Sequence, residues 1–245
     1  MSMVIAGAML MAVFFTAMLS GIFGMAGGLI LLWLLFLLMP VATAIAVQGI
    51  IQIVANGSRA WFSRHYIDWK ILAITTSGLV VAALALVLIN YKPNLVAASI
   101  AIGLLPILIW IPNHWLALDA SKPHHAFAAG IISGALNLGA GASGPTVDMF
   151  FIRTMMDRRT VIATKAAIQV LSHAFKIAFY WSAASSLGQT EWLAVLIAVP
   201  FSIFGTSAGK FLLERMTDVH FRRWTRYVVT AIGLFYLGRA ILVLL

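Results

Sequence analysis

Two stretches of this chain carry polar side chains at one helical spacing inside otherwise apolar sequence. Gln48, Gln52, Asn56 and Arg59 fall at positions 0, 4, 8 and 11 of the first, and Lys165, Gln169, His173 and Lys176 at the same positions of the second. On an α-helix that spacing puts each set on one face. Amide, ammonium and guanidinium groups donate hydrogen bonds, which is what a sulfonate, sulfite or carboxylate group needs. Gln52 and Gln169, equivalent and nearest the middle of their runs, are the expected substrate contacts, with Gln48, Asn56 and His173 beside them. Lys165 sits deeper and is expected to meet substrate or a counter-ion. Arg59 and Lys176 lie near the run ends and are expected to snorkel to an interface.

A glycine cluster precedes each polar stretch: Gly21, Gly24, Gly27 and Gly28 in one case, Gly139, Gly141, Gly144 and Pro145 in the other. Each reads as a helix broken or folded back around an unwound middle. Half-helices starting after Gly28 and after Pro145 would aim free N–H groups and the positive end of the helix dipole at a common point, which suits an anion. Gly24, Gly27, Gly28, Gly141, Ser143 and Gly144 are therefore candidate site residues; close helix packing is the other use of such small residues. Asp148 is the one carboxylate inside an apolar region, and Leu31 takes its place in the first half. It either pairs with Lys165 or Arg153, or carries a coupling proton. His124 and His125 adjoin a loop and lack a third ligand at metal-like spacing, so no metal site is expected.

Elements of a particular kind must position these groups. Of 245 residues, 62% are hydrophobic and 9% charged, more apolar surface than a soluble domain of this size could bury, so the expected solvent is a lipid bilayer. Full spans are expected at 43–62, 69–89, 95–111, 159–181, 190–212 and 221–244, with broken apolar regions at 3–39 and 125–155. The first Lys or Arg is Arg59, so the N-terminal apolar segment lacks the charged start of a signal peptide and is expected to be kept. The net charge of +9 resides in short loops between apolar runs, a pattern that orients membrane proteins and does not call for nucleic acid. There is no cysteine and no Walker-type phosphate loop, and no cofactor is expected.

A shift of 117 positions lays Gly24 on Gly141, Gly27 on Gly144, Gln52 on Gln169 and Arg59 on Lys176. The expected architecture is all-α: a single transmembrane domain, 1–245, of two tandem repeats, 1–118 and 119–245. Each is a glycine-broken helix or re-entrant hairpin followed by three spans. If the broken elements re-enter, the basic loops around 59–70, 153–159 and 210–226 share the cytoplasmic side, both termini face outward and the repeats are inverted. An ordinary eight-span bundle with parallel repeats is the alternative. Trp61, Trp69, Trp110, Trp115, Trp181, Trp192 and Trp224 near span ends fit an interfacial aromatic belt.

Taken together, the glycine-broken first element, the following helix with a mid-span amide, and the repetition of this as Ser133 to Pro145 (SGALNLGAGASGP) resemble the sulfite exporter TauE/SafE family of membrane permeases. The resemblance runs the length of the chain. It implies a bacterial inner-membrane carrier of sulfite, organosulfonates or other small organic anions, with Gly24 to Gly28 and Gly141 to Pro145 as the substrate-site backbone. The chain departs from the family's usual glycine triple with Ala26-Gly27-Gly28 and Ser143-Gly144-Pro145. Two rivals remain: a passive anion channel with the same lining, and a rhomboid-like intramembrane protease using Ser143 of Gly141-Ala142-Ser143-Gly144 with His173 as base.

Overall fold

The computed structural model describes residues 3–23, 26–111, 118–151, 154–213 and 218–244. Among them are eleven α-helices and one short 3-10 turn, Arg64–Tyr66, and no strand. The first half holds α1 (Met3–Phe23), α2 (Ala26–Leu38), α3 (Val41–Phe62), α4 (Trp69–Leu88) and α5 (Leu95–Trp110). The second holds α6 (Pro123–Ala140), α7 (Gly144–Phe151), α8 (Arg158–Phe179), the one-turn α9 (Trp181–Ser185), α10 (Gln189–Leu213) and α11 (Asp218–Leu244).

Local chemistry accounts for many of the boundaries. Asp68 accepts a hydrogen bond from Ile71 N at 3.0 Å to start α4, Asn94 accepts from Val96 N and Ala97 N to start α5, and Asp157 accepts from Arg159 N to start α8. Proline opens α6, where its missing N–H costs nothing. Gly141 then ends that helix at φ 85°, the left-handed conformation that glycine adopts without strain.

Val41–Phe62, Trp69–Leu88, Gln189–Gly209 and Tyr227–Leu244 are long and apolar enough to cross a bilayer, and Gly7–Ile22, Ala26–Leu38 and Leu95–Ile107 are shorter apolar helices. The distribution of side chains is that of a protein solvated by lipid. Leu88 and Leu234 stand 80% and 65% exposed, while Gln48, Asn137 and Lys176 are buried. Trp61, Trp69, Trp110 and Trp181 are exposed at or beside helix ends, whereas Trp115 lies outside the described residues.

Both glycine-broken regions fold back on themselves. A side chain at Gly27 would run into Thr16 O and Ser20, and Leu31 shares a cavity wall with Val13, Thr16 and Ala17, so α2 returns alongside α1. In the second half Ala120 N, just before α6, donates to Phe150 O at the end of α7 at 2.7 Å, which closes that hairpin. At 1.5 Å per residue, α7 is only about 12 Å long and reaches less than half way through a hydrocarbon core.

Each hairpin docks on a helix of the opposite half. α1 lies along α10 and α6 along α4, while α3 packs on α8 and α5 on α11. Exchanging the two halves interchanges the first two pairings and returns each of the others to itself. Small residues set the closeness of these crossings: Gly21 lies against Gly209 and Thr206 O, Gly78 against Gly130, and Gly103 against Gly233 O. Two apolar clusters result. One gathers α1, α2, α3, α5, α10 and α11 with Ala140 and Ala142 beside Gly141, and the other α4, α6, α7 and α8.

Candidate functional site

The two breaks are joined by one chain of hydrogen bonds. Gln48 Nε2 donates to Gly28 O in the first turn of α2 at 3.3 Å. Lys176 Nζ donates to Gln48 Oε1 at 2.7 Å and to Gly141 O, at the turn between α6 and α7, also at 2.7 Å. α3 and α8 supply the central pair because they pack face to face, and Gly49 permits the approach: a β-carbon there would meet Lys176 Cδ and Ile177 Cγ1 at 3.2 Å.

Lys176 is fully buried, so it does not snorkel as its place near the end of the run led us to expect. The apolar layer does not stop at the end of α8: Tyr180 is buried and α9 follows, so Trp181, 59% exposed, marks the boundary more than a turn beyond Lys176. No carboxylate lies within ion-pair distance of Lys176 among the described residues. Arg59, which the 117-position shift lays on Lys176, is only partly buried.

Gln52 lies one turn beyond Gln48 on α3. Its amide packs on Gly28, where any side chain would collide with Gln52 Nε2, and it makes no side-chain hydrogen bond among the described residues. It faces a cavity with room for about one water molecule, walled also by Thr16, Leu31, Ile51, Ala55 and Ser202. Asn56 spends its amide N–H on Gln52 O of its own helix at 3.0 Å. Gln169 is partly buried on α8 and likewise forms no side-chain hydrogen bond among the described residues. Lys165 forms an ion pair with Asp148 of α7, both partly exposed, which is the pairing expected from sequence; Arg153, the other expected partner, lies outside the described residues, as does Gly24.

The glycines divide by purpose. Gly27 serves the close return of α2 over Thr16 and Ser20, and Gly28 admits the two glutamine amides. Gly141 supplies the left-handed turn, packed so that a β-carbon would sit 2.9 Å from Leu32 and Ile45. Gly144 opens α7, which with α2 starting at Ala26 places both half-helices slightly earlier than their glycine clusters suggest. Beside the second break, Ser143 Oγ, Thr146 Oγ1, Asn137 Oδ1 and His173 Nδ1 are buried with no hydrogen-bond partner. Ser143 and His173 are therefore not paired as a nucleophile and its base would be.

Several residues that hold this arrangement were not singled out in the sequence. Tyr180 OH donates to Leu138 O, Tyr91 OH to Gly139 O at 2.9 Å, and Asn137 Nδ2 to Ser172 O and Oγ, so the carbonyl end of α6 is fastened to α8 and to the loop after α4. Tyr236 OH does the same for Leu29 O of α2 at 2.8 Å, and Arg239 Nη2 for Phe36 O. Asn137, four residues before Gly141 in an apolar run, was the available signal; the tyrosines gave none, because an aromatic in such a run reads as core.

No curated protein and no solved structure matches the chain significantly. The sequence profile of the sulfite exporter TauE/SafE family matches residues 9–236, which takes in both hairpins and every group of the hydrogen-bond chain. A multi-pass helical protein with two folded-back breaks joined through buried polar groups is thus accounted for by one assignment: the chain belongs to the sulfite exporter TauE/SafE family, membrane transporters of sulfur-containing anions.

Proposed function

We propose that this protein is a permease that moves sulfite or an organosulfonate across the cytoplasmic membrane by alternating access, with the anion held between the two glycine breaks. The observation that carries this reading is the continuous link from Gly28 O through Gln48 and Lys176 to Gly141 O. One small ligand inserted there would touch both hairpins at once, which is what a rocking carrier needs of its substrate. Gln52 and Gln169 provide unspent amides on the two central helices, and Ser143, Thr146 and His173 provide unspent polar atoms at the second break.

The interchange of helix pairings between the halves supports the two-repeat architecture. The return of α2 alongside α1 and the closing of the second hairpin at Ala120 and Phe150 support re-entrant elements, basic loops on one side and inverted repeats. Asp148, paired with Lys165, is the candidate for proton coupling.

Uptake and efflux of labelled sulfite and small sulfonates in proteoliposomes test the reading, with intact protein compared with Gln52→Ala and Gln169→Ala, with and without a pH gradient. Saturable flux that falls at least about tenfold in each glutamine variant is expected, each losing a hydrogen bond to a charged group. Flux that grows linearly with concentration without saturating would mean a channel, and flux untouched by either substitution would move the site elsewhere.

A further inference from the structure

We propose that Lys176 is the fixed countercharge of the transported anion and that its single charge makes the carrier selective for monoanions. This deepens the permease reading and rests on it. The ammonium group is fully buried, and its two acceptors, Gln48 Oε1 and Gly141 O, are both neutral. An ammonium group kept in a membrane protein's interior without a carboxylate is costly, and the partner that would offset it is an anion that comes and goes.

The other lysine and arginine groups on the central helices stand away from the Gln48–Gly141 link. On α8 itself Lys165 is eleven residues away, about 16 Å along the axis, and is engaged by Asp148. Arg59 is as far from Gln48 along α3. Arg239 of α11 donates through Nη2 to Phe36 O, eight residues and about 12 Å along α2 from Gly28, and its Nη1 is buried and unspent there. The carbonyl end of α6 and the amide end of α7 meet at the Gly141 turn, so their opposite dipole charges largely cancel.

Gln48 Oε1 occupies the place that an anion oxygen takes over. The amide's other hydrogen bond, to Gly28 O, is long at 3.3 Å, so its release costs little, and the unspent amide of Gln52 lies one turn away on α3 to meet a second oxygen of the ligand. A sulfonate or hydrogensulfite ion then leaves the loaded site neutral. A dianion would leave one negative charge unmatched in a site walled off from water, a strong penalty.

Two sulfonates of fixed valence separate charge from pH. Methanesulfonate is singly charged and ethane-1,2-disulfonate doubly charged throughout the accessible range. Each is offered to the full-length protein in proteoliposomes as a competitor of labelled sulfite, and to the purified protein in a thermal-stability assay. Methanesulfonate should compete and stabilise, and the disulfonate and sulfate should do neither. Lys176→Met should weaken methanesulfonate binding by about a hundredfold or more while Lys176→Arg keeps the preference for one charge.

Equal competition by the dianions in the intact protein would overturn the proposal whether or not either variant folds. So would a folded Lys176→Met variant with unchanged affinity; the ammonium would then be only a cap on the α6 carbonyls. In both cases flux still sensitive to Gln52→Ala would leave the permease reading standing. Absence of saturable flux for any anion in the intact protein would remove that reading, and this one with it.

Discussion

At the first glycine break the chain turns back by packing, and at the second it turns back around polar groups. α2 lies on α1 through Gly27, over Thr16 O and Ser20, its flank is Leu29, Leu31, Leu32 and Leu35, and the two amides it meets, Gln48 and Gln52, come from α3. Ser143, just before α7, and Thr146 in its first turn have instead buried and unspent hydroxyls, and Asp148 in the middle of α7, where the first half has Leu31, forms an ion pair. The two hairpins share a shape and differ in charge. The bend is common to both while the ion pair is found at one, so the first hairpin is the more apolar wall and the second the more polar one.

The largest test of that contrast is Gly27→Ala. Its β-carbon would enter backbone of α1, which cannot move away, so a loss of about 3 kcal/mol or more is expected, visible as failure to purify as a single species or a large drop in melting temperature. Gly141→Ala should cost less, about 1–3 kcal/mol, from the positive φ and from crowding by Leu32 and Ile45. Next comes Asp148→Asn. It strands Lys165 at a partly exposed site, so the melting temperature should fall by only a few degrees, but flux should lose its dependence on a pH gradient if Asp148 carries the proton. Unchanged gradient dependence would leave the pair a structural one. The smallest effect belongs to Ser143→Ala: removing a buried hydroxyl that has no partner should leave stability unchanged or slightly raised, and a fall in flux with the fold intact would assign that hydroxyl to the anion.

The helices themselves were legible because an apolar run of membrane length with a polar flank leaves few alternatives: the spans expected at 43–62 and 69–89 are α3 and α4, shifted by a residue or two at their ends. The folding back at Gly27 and Gly141 was legible too, since clustered glycine and proline cannot continue a helix. Lys176 was misplaced because distance from the end of its helix is a poor measure of depth when Tyr180, one turn further on, is still buried. The pairings of α1 with α10 and α4 with α6 were not legible at all. They depend on Gly78, Gly130, Gly205 and Gly209, single small residues within long runs, which signal a crossing only once the facing helix is known.

Those two crossings bear on how the protein is made. α1 finds its seat on α10, synthesised more than 160 residues later, and α6 seats on a helix from the half before it. During biosynthesis the face of α1 that carries Gly21 therefore stays unmet in the lipid until α10 has been inserted beside it.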